Sequence, residues 1–260
     1  MSSLIYSPQS GGDKERVRCE DGSFTLYSRR FDEPYHSTRD GALQESLQKY
    51  VLPALSLKQE KETLVILDIC FGLGYNSFAT IAYILEQGLS IRVHILAPEF
   101  DEALLRSLDT FTYPEMFAPL GHMIEAISRD LYYEDAQFSI EILPGDARES
   151  MRGLTPKIDI IYQDAFSPAH NPLLWTREWF AQLRSLCRDD AVLLSYSTAA
   201  AVRLGLYENG FHLFVHRAEK IRYSTVASLQ MLEGFEYINM ELKKRRNPDA
   251  RSLKDADFLK

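Results

Sequence analysis

From Leu64 onward, short apolar and β-branched runs alternate with amphipathic stretches: LVILDI, IRVHILA, SIEIL, IDIIYQD and AVLLSYS, with helical periodicity between most of them. That alternation predicts parallel strands joined by helical crossovers. Near the end, FHLFVH and VASLQML follow each other with no helix between, so they are expected to close the sheet as an antiparallel pair. Upstream, residues 16–28 alternate polar and apolar on both sides of Asp21-Gly22, the pattern of a β-hairpin. A polar loop runs from Phe31 to Gly41, and Leu43, Leu47, Val51 and Leu55 then recur at helical spacing over 42–57, a helix expected to pack on the main domain. The chain so read is α/β and Rossmann-like: a mainly parallel sheet of seven strands with an antiparallel last strand. A small N-terminal hairpin extension (1–41) precedes the main domain (42–242), and a basic C-terminal tail (243–260) follows it.

The 260 residues, 45% hydrophobic and 25% charged, suit one packed domain with an appended segment and do not read as disordered. No apolar run approaches the roughly 20 residues that span a bilayer, and MSSLIYSPQSGGDKER lacks the basic-then-apolar layout of a signal peptide. A cytoplasmic protein with no membrane partner is expected. Cys19, Cys70 and Cys187 form neither a CxxC pair nor a zinc-spaced set with the histidines, so they are read as reduced thiols and no metal is expected. A formal charge of -8 excludes a uniformly nucleic-acid-binding surface and requires any such patch to be local. The run Lys243 to Arg246 is the candidate, against the plainer reading of a solvated tail that frays.

Three strand ends carry chemistry. The first passes from Asp68-Ile69-Cys70 into Phe71-Gly72-Leu73-Gly74-Tyr75-Asn76-Ser77, where glycines let a ligand approach the backbone and the helix start offers N–H donors. A tight strand-to-helix connection would use the same glycines. The second ends at Glu99, twenty-odd residues further on, where an acid can accept two hydrogen bonds from a ribose diol; the alternatives are a surface charge or a cap ahead of Asp101 and Glu102. The fourth delivers Asp164-Ala165-Phe166-Ser167-Pro168-Ala169-His170-Asn171-Pro172-Leu173-Leu174-Trp175-Thr176. A carboxylate at the C-terminal end of a central strand lies where open α/β sheets build their sites. Ordinary turns also use Asp, Pro and Asn, and core packing is the alternative for the aromatics.

Together these residues carry a family resemblance. Phe31-Asp32-Glu33-Pro34-Tyr35-His36-Ser37, with Gly41 and Glu45, resembles FDDxYFS…G…E; FGLGYNS resembles FGTGLNF; DAFSPAHNPLLWT resembles DGFAPxxNPxxWT; and Ser197 to Phe211 resembles TSAGFVRRGLxxAGF. These are stretches of the methyltransferase half of the bifunctional MnmC proteins and of the stand-alone MnmD-type enzymes. The resemblance implies a class I S-adenosyl-L-methionine-dependent fold and methylation of the exocyclic amine of 5-aminomethyl-2-thiouridine at the tRNA wobble position. It implies a cofactor site of Asp68, Phe71, Gly72, Gly74, Asn76, Ser77, Glu99, Asp146 and Ala147, with Asp146 against the adenine amino group unless it simply caps the next helix. It places Asp164 on the reacting amine, and Phe166, Pro168, Asn171, Pro172 and Trp175 around an extruded base. The tRNA anticodon arm is the implied partner.

The departures are specific. Leu73 and Ala165 stand where the family has Thr and Gly, and Ile221 to Ser228 replaces a basic GFGRKREM stretch that would contact tRNA. No GxGxxG occurs, so no FAD is expected, and a step removing a carboxymethyl group would need another protein or an upstream pathway that installs the aminomethyl group directly. Two rival readings keep the fold. One is an aminopropyltransferase of the spermidine-synthase type, faintly suggested by Asp40-Gly41-Ala42-Leu43-Gln44 but lacking a GGGDG run; the other is a tRNA-binding module without turnover.

Overall fold

Successive side chains on a strand face opposite sides of the sheet, so an unbroken apolar run such as Leu64–Ile69 is fully buried only if both sides are covered. The computed structural model describes residues 13–155, 157–219 and 221–259 and shows that arrangement. Leu64 and Ile66 belong to one buried cluster and Leu67 and Ile69 to another, on opposite faces of the sheet. The leader reading of the N-terminus falls largely on residues 1–12, outside the described residues.

In chain order the strands are β1 (Lys14–Arg18), β2 (Phe24–Ser28), β3 (Glu33–Pro34), β4 (Thr63–Ile69), β5 (Arg92–Glu99), β6 (Tyr132–Glu134), β7 (Phe138–Pro144), β8 (Ile158–Gln163), β9 (Cys187–Ser195), β10 (His212–His216), β11 (Ser224–Ser228) and β12 (Glu236–Tyr237). Among the described residues the main sheet has nine strands in the order β12-β10-β11-β9-β8-β4-β5-β7-β6. β7, β5, β4, β8 and β9 run parallel, while β11 lies antiparallel to both neighbours, between β9 and β10. All seven expected strands are present. The two additions, β6 and β12, are edge strands of three and two residues, too short to leave a periodic trace.

The last strand begins earlier than VASLQML suggests. β11 takes in Ser224 and Thr225, buried polar residues that read as loop in the sequence, because pairing with β9 (Thr225 opposite Ser195) and β10 (Thr225 opposite Val215) satisfies the backbone on both sides. The N-terminal unit likewise gains β3, which pairs with β2 and makes the hairpin a three-stranded sheet.

The helix foreseen over 42–57 runs as Ala42–Glu45, a wider π-helical turn Ser46–Val51, and Leu52–Ser56. Pro53 has no N–H for the Lys49 carbonyl, and just before it the ladder shifts, with the Leu52 N–H donating to Leu47. That turn buries Ser46, Lys49, Tyr50 and Val51 together.

The C-terminal segment is docked. Met240 begins the helix Met240–Arg246 and is buried, Arg148 pairs with Asp255, Thr176 Oγ1 donates to Asp255 at 2.7 Å, and Ser252 Oγ donates to Glu208 at 2.6 Å. No helix of the described residues is long and apolar enough to cross a membrane.

Candidate active site

β4 and β5 end side by side, and the turn after β4 is tight. Cys70, Gly72 and Gly74 have φ of 63°, 56° and 73°, all left-handed, which glycine adopts at little cost. The two glycines serve different ends. A Cβ at Gly72 would lie 3.1 Å from Cδ1 of Tyr35, on the cavity side of the turn. A Cβ at Gly74 would lie 2.5 Å from Phe78 and 2.7 Å from Phe71, inside the packing beneath it. Gly74→Val is therefore expected to cost folding stability, read as a lower denaturation midpoint, and it does not probe ligand access. Asp68 is buried under the turn, where Ser77 Oγ donates to Oδ2 at 2.6 Å while Oδ1 has no partner among the described residues. Burial, with the nearby Asp164 charge adding to it, pushes Asp68 up to about 7. Glu99, 4% exposed, accepts the Gly72 N–H and the Asp101 N–H, each at 2.8 Å. That locks the end of β5 to the glycine turn.

Asp164, just past the end of β8, is held from two sides. Tyr50 Oη donates to Oδ1 at 2.6 Å and Asn76 Nδ2 to Oδ2 at 2.8 Å. Tyr50 comes from the π turn and Asn76 from the first turn of the helix Tyr75–Glu86, so two separate elements fix one carboxylate. Desolvation lifts its pKa above the usual carboxylate range and Glu45 adds to the lift, while the hydrogen bonds from Tyr50 and Asn76 and the Lys49 charge oppose it. Lys49 Nζ lies 2.8 Å from Asp40 and 2.6 Å from Glu45, all three side chains buried. Burial works against the Lys49 charge, but the two carboxylates outweigh it and hold the ammonium above its usual value. Glu45 also accepts the Ser37 N–H at 2.7 Å, and Ser37 Oγ accepts the Asp40 N–H at 3.0 Å, so the same network fixes the loop after β3.

These groups surround a cavity of about 700 Å³. Its floor holds Gly72, Asn76, Glu99 and Asp164; Tyr35, Phe100 and Phe166 give it an aromatic side, and Arg222 and Tyr223 border it. Phe166 stacks on Phe31 with ring centroids 4.4 Å apart and meets Tyr35 edge-on at 4.9 Å. The Ser167 N–H donates to Glu33 at 2.9 Å, tying the loop after β8 to the N-terminal sheet.

The comparisons with known proteins converge on one family. A family of S-adenosyl-L-methionine-dependent methyltransferases matches residues 116–229. The crystal structure of MNMC2 from Aquifex aeolicus aligns with a TM-score of 0.81 at 31% identity, covering 98% of this chain and 83% of that one. The chain belongs to the MnmC-type S-adenosyl-L-methionine-dependent methyltransferases. The bifunctional protein MnmC of tRNA 5-methylaminomethyl-2-thiouridine biosynthesis from Azoarcus is 33% identical over 213 residues, 75% of this chain and 32% of that protein. The uncharacterized protein MJ0670 of Methanocaldococcus jannaschii is 28% identical over 206 residues, 75% of this chain and 53% of that protein. The chain thus spans about a third to a half of the length of these relatives. The aminopropyltransferase reading finds no support among them.

For an MnmC-type methyltransferase the donor set fits its cofactor. Glu99 uses two of roughly four lone-pair positions on the turn and keeps the others for ribose hydroxyls. The carboxylates of Asp68 and Glu99 suit a ligand that carries positive charge, and the buried acceptors Asp68 Oδ1 and Asn76 Oδ1 lack donors among the described residues. Of the residues named from the sequence, Phe71, Gly72, Asn76, Glu99, Asp164, Phe166 and Asn171 line the cavity, and Asp68, Gly74 and Ser77 support the turn beneath it. Asp146 caps the helix Ala147–Ser150, its side chain accepting the Arg148 N–H at 2.8 Å, and is exposed, while Ala147 is buried. Pro168 lies outside the lining and Pro172 opens a short 3-10 turn. Trp175 is fully buried below the loop, its indole N–H donating to the Phe166 carbonyl at 2.7 Å and its ring edge-on to Tyr196; it holds the wall and is not part of it. Pattern reading did not single out Tyr50 or Lys49, which sit on a helix that reads as a packing helix. Glu99→Ala is expected to weaken S-adenosylmethionine binding by ~1–3 kcal/mol, since ribose hydroxyls and the Gly72 N–H both lose an acceptor. Unchanged affinity by calorimetry would remove Glu99 from the cofactor site.

Proposed function

We propose that this domain transfers the methyl group of S-adenosylmethionine to the exocyclic amine of 5-aminomethyl-2-thiouridine at the wobble position of tRNA. The MnmC relatives are named for biosynthesis of tRNA 5-methylaminomethyl-2-thiouridine, the nucleoside such a transfer would produce, and one observation carries the chemistry: a buried carboxylate, Asp164, clamped by Tyr50 and Asn76 at the floor of an aromatic-sided cavity. An alkylamine has a pKa near ~10, so in water it is mostly charged and has no lone pair to give. Asp164 receives the ammonium, and by accepting an N–H hydrogen bond it orients the nitrogen once neutral. The raised pKa of Asp164 makes it a better proton acceptor than a free carboxylate, yet still weaker than the amine, so the proton passes on to water. S-adenosylmethionine, when bound, supplies an electrophilic methyl on a sulfonium that leaves without protonation. Gly72 and Glu99 would hold it, and Phe166 would stack the extruded base. The anticodon arm is the partner in this reading. The test is mass spectrometry of wobble nucleosides after incubating the protein with under-modified tRNA and S-adenosylmethionine. A gain of one methyl group on the aminomethyl nucleoside is expected, and an unchanged nucleoside would sink the reading.

A further inference from the structure

A second cavity, of about 330 Å³, opens beside the first, with Thr198 in the wall of both. The helix Ala200–Glu208 contributes Arg203, and the helix Met240–Arg246 contributes Lys243, Lys244 and Arg246; no carboxylate of the described residues lines it. Cations in the last turn of a helix are ordinary partners of its dipole, which accounts for three of these side chains. It does not account for Arg203, which lies within its helix and is only 8% exposed. Its Nε donates to Thr225 Oγ1 at 3.0 Å, and Thr225 is itself fixed by donating to the Ser197 carbonyl at 2.7 Å. Its Nη2 is buried, and among the described residues it has no hydrogen-bond partner and no carboxylate to pair with. A guanidinium is retained in such a place at a desolvation cost that an anion would offset, and its planar fork matches phosphate oxygens.

We infer that this pocket is a phosphate subsite, in which Arg203, Lys243 and Arg246 hold a backbone phosphodiester of the RNA strand whose target base enters the neighbouring cavity. The inference rests on the tRNA reading above. Arg203→Gln is expected to weaken binding of under-modified tRNA about tenfold or more, the scale of a lost charge-assisted hydrogen bond, with Arg203→Lys recovering part of it. Lys243→Gln/Arg246→Gln, at exposed positions where folding is not at stake, is expected to lower the salt dependence of tRNA binding by about one in log–log slope for each phosphate no longer neutralised. S-adenosylmethionine affinity by calorimetry is expected to stay unchanged in all of them. Wild-type affinity and salt slope in folded Arg203→Gln and in the double variant would overturn the subsite. So would saturable binding of inorganic phosphate, followed at the Arg203 Nε–H by nuclear magnetic resonance, in a protein whose variants bind tRNA as the wild type does; the pocket would then serve free phosphate. A wild-type protein that leaves the wobble nucleoside unmethylated yet loses tRNA affinity on Arg203→Gln would instead overturn the methylation reading alone.

Discussion

Asp164→Asn is expected to lower single-turnover methylation of aminomethyl-bearing tRNA by ~10²–10⁴ while leaving S-adenosylmethionine affinity near wild type. The side chain keeps its volume between Tyr50 and Asn76, so the cavity keeps its shape, but an amide neither attracts an ammonium nor takes up a proton. Activity of the variant should recover in part as pH rises and more amine is neutral without help. Stability should move the other way. The folded pKa of Asp164 is raised, so between the ordinary carboxylate value and the raised one the folded state holds more protons than the unfolded one, and wild-type stability falls as pH rises through that window. Above it the ionised carboxylate is a net cost that asparagine removes, so the variant is expected to be as stable as the wild type, or more so, at neutral pH and above. Asp68, raised to about 7, adds the same sign in both proteins. Methylation at the wild-type rate across neutral pH would make Asp164 a turn residue and return the search to the loop that ends at Trp175.

Lys49→Met is expected to destabilise the fold by ~3–5 kcal/mol, because it strands Asp40 and Glu45 as buried carboxylates with no counter-charge. An exposed ion pair would cost no more than about 1 kcal/mol, and a loss that small in chemical denaturation would show the triad to be solvated. A second readout follows from the cavity. Lys49 lowers the Asp164 pKa and Glu45 raises it, so removing the ammonium should push the acidic limb of the pH–rate profile upward. The combination Lys49→Met, Asp40→Asn and Glu45→Gln removes all three charges and is expected to regain most of the stability. It should not regain the wild-type loop, since the Ser37 N–H then meets a neutral acceptor in place of the Glu45 carboxylate.

The parallel sheet was legible because its strands are buried on both faces. LVILDI and IDIIYQD are apolar runs bounded by polar turns, and their order with intervening helices leaves few topologies. The glycine turn, Glu99 and Asp164 could be placed for the same reason: all three lie at the C-terminal ends of strands, which one-dimensional order already brings to one edge of the sheet. What one dimension does not carry is the partner of each group. Nothing local marks Tyr50 or Lys49 as more than residues of a packing helix; the π turn before Pro53 directs both inward, so that Tyr50 reaches Asp164 across 114 residues of sequence and Lys49 meets Asp40 and Glu45. The insertion of β11 between β9 and β10 turned a polar Ser224-Thr225 pair into buried strand, and Thr225 in turn positions Arg203. Trp175, conspicuous in its motif, went to the core, because an indole can bury its large apolar face once its single N–H finds the Phe166 carbonyl. Sequence by itself determined the sheet and the edge where chemistry occurs. Tertiary packing decided which side chains face the cavity, since burial and hydrogen-bond satisfaction are settled between segments far apart in the chain.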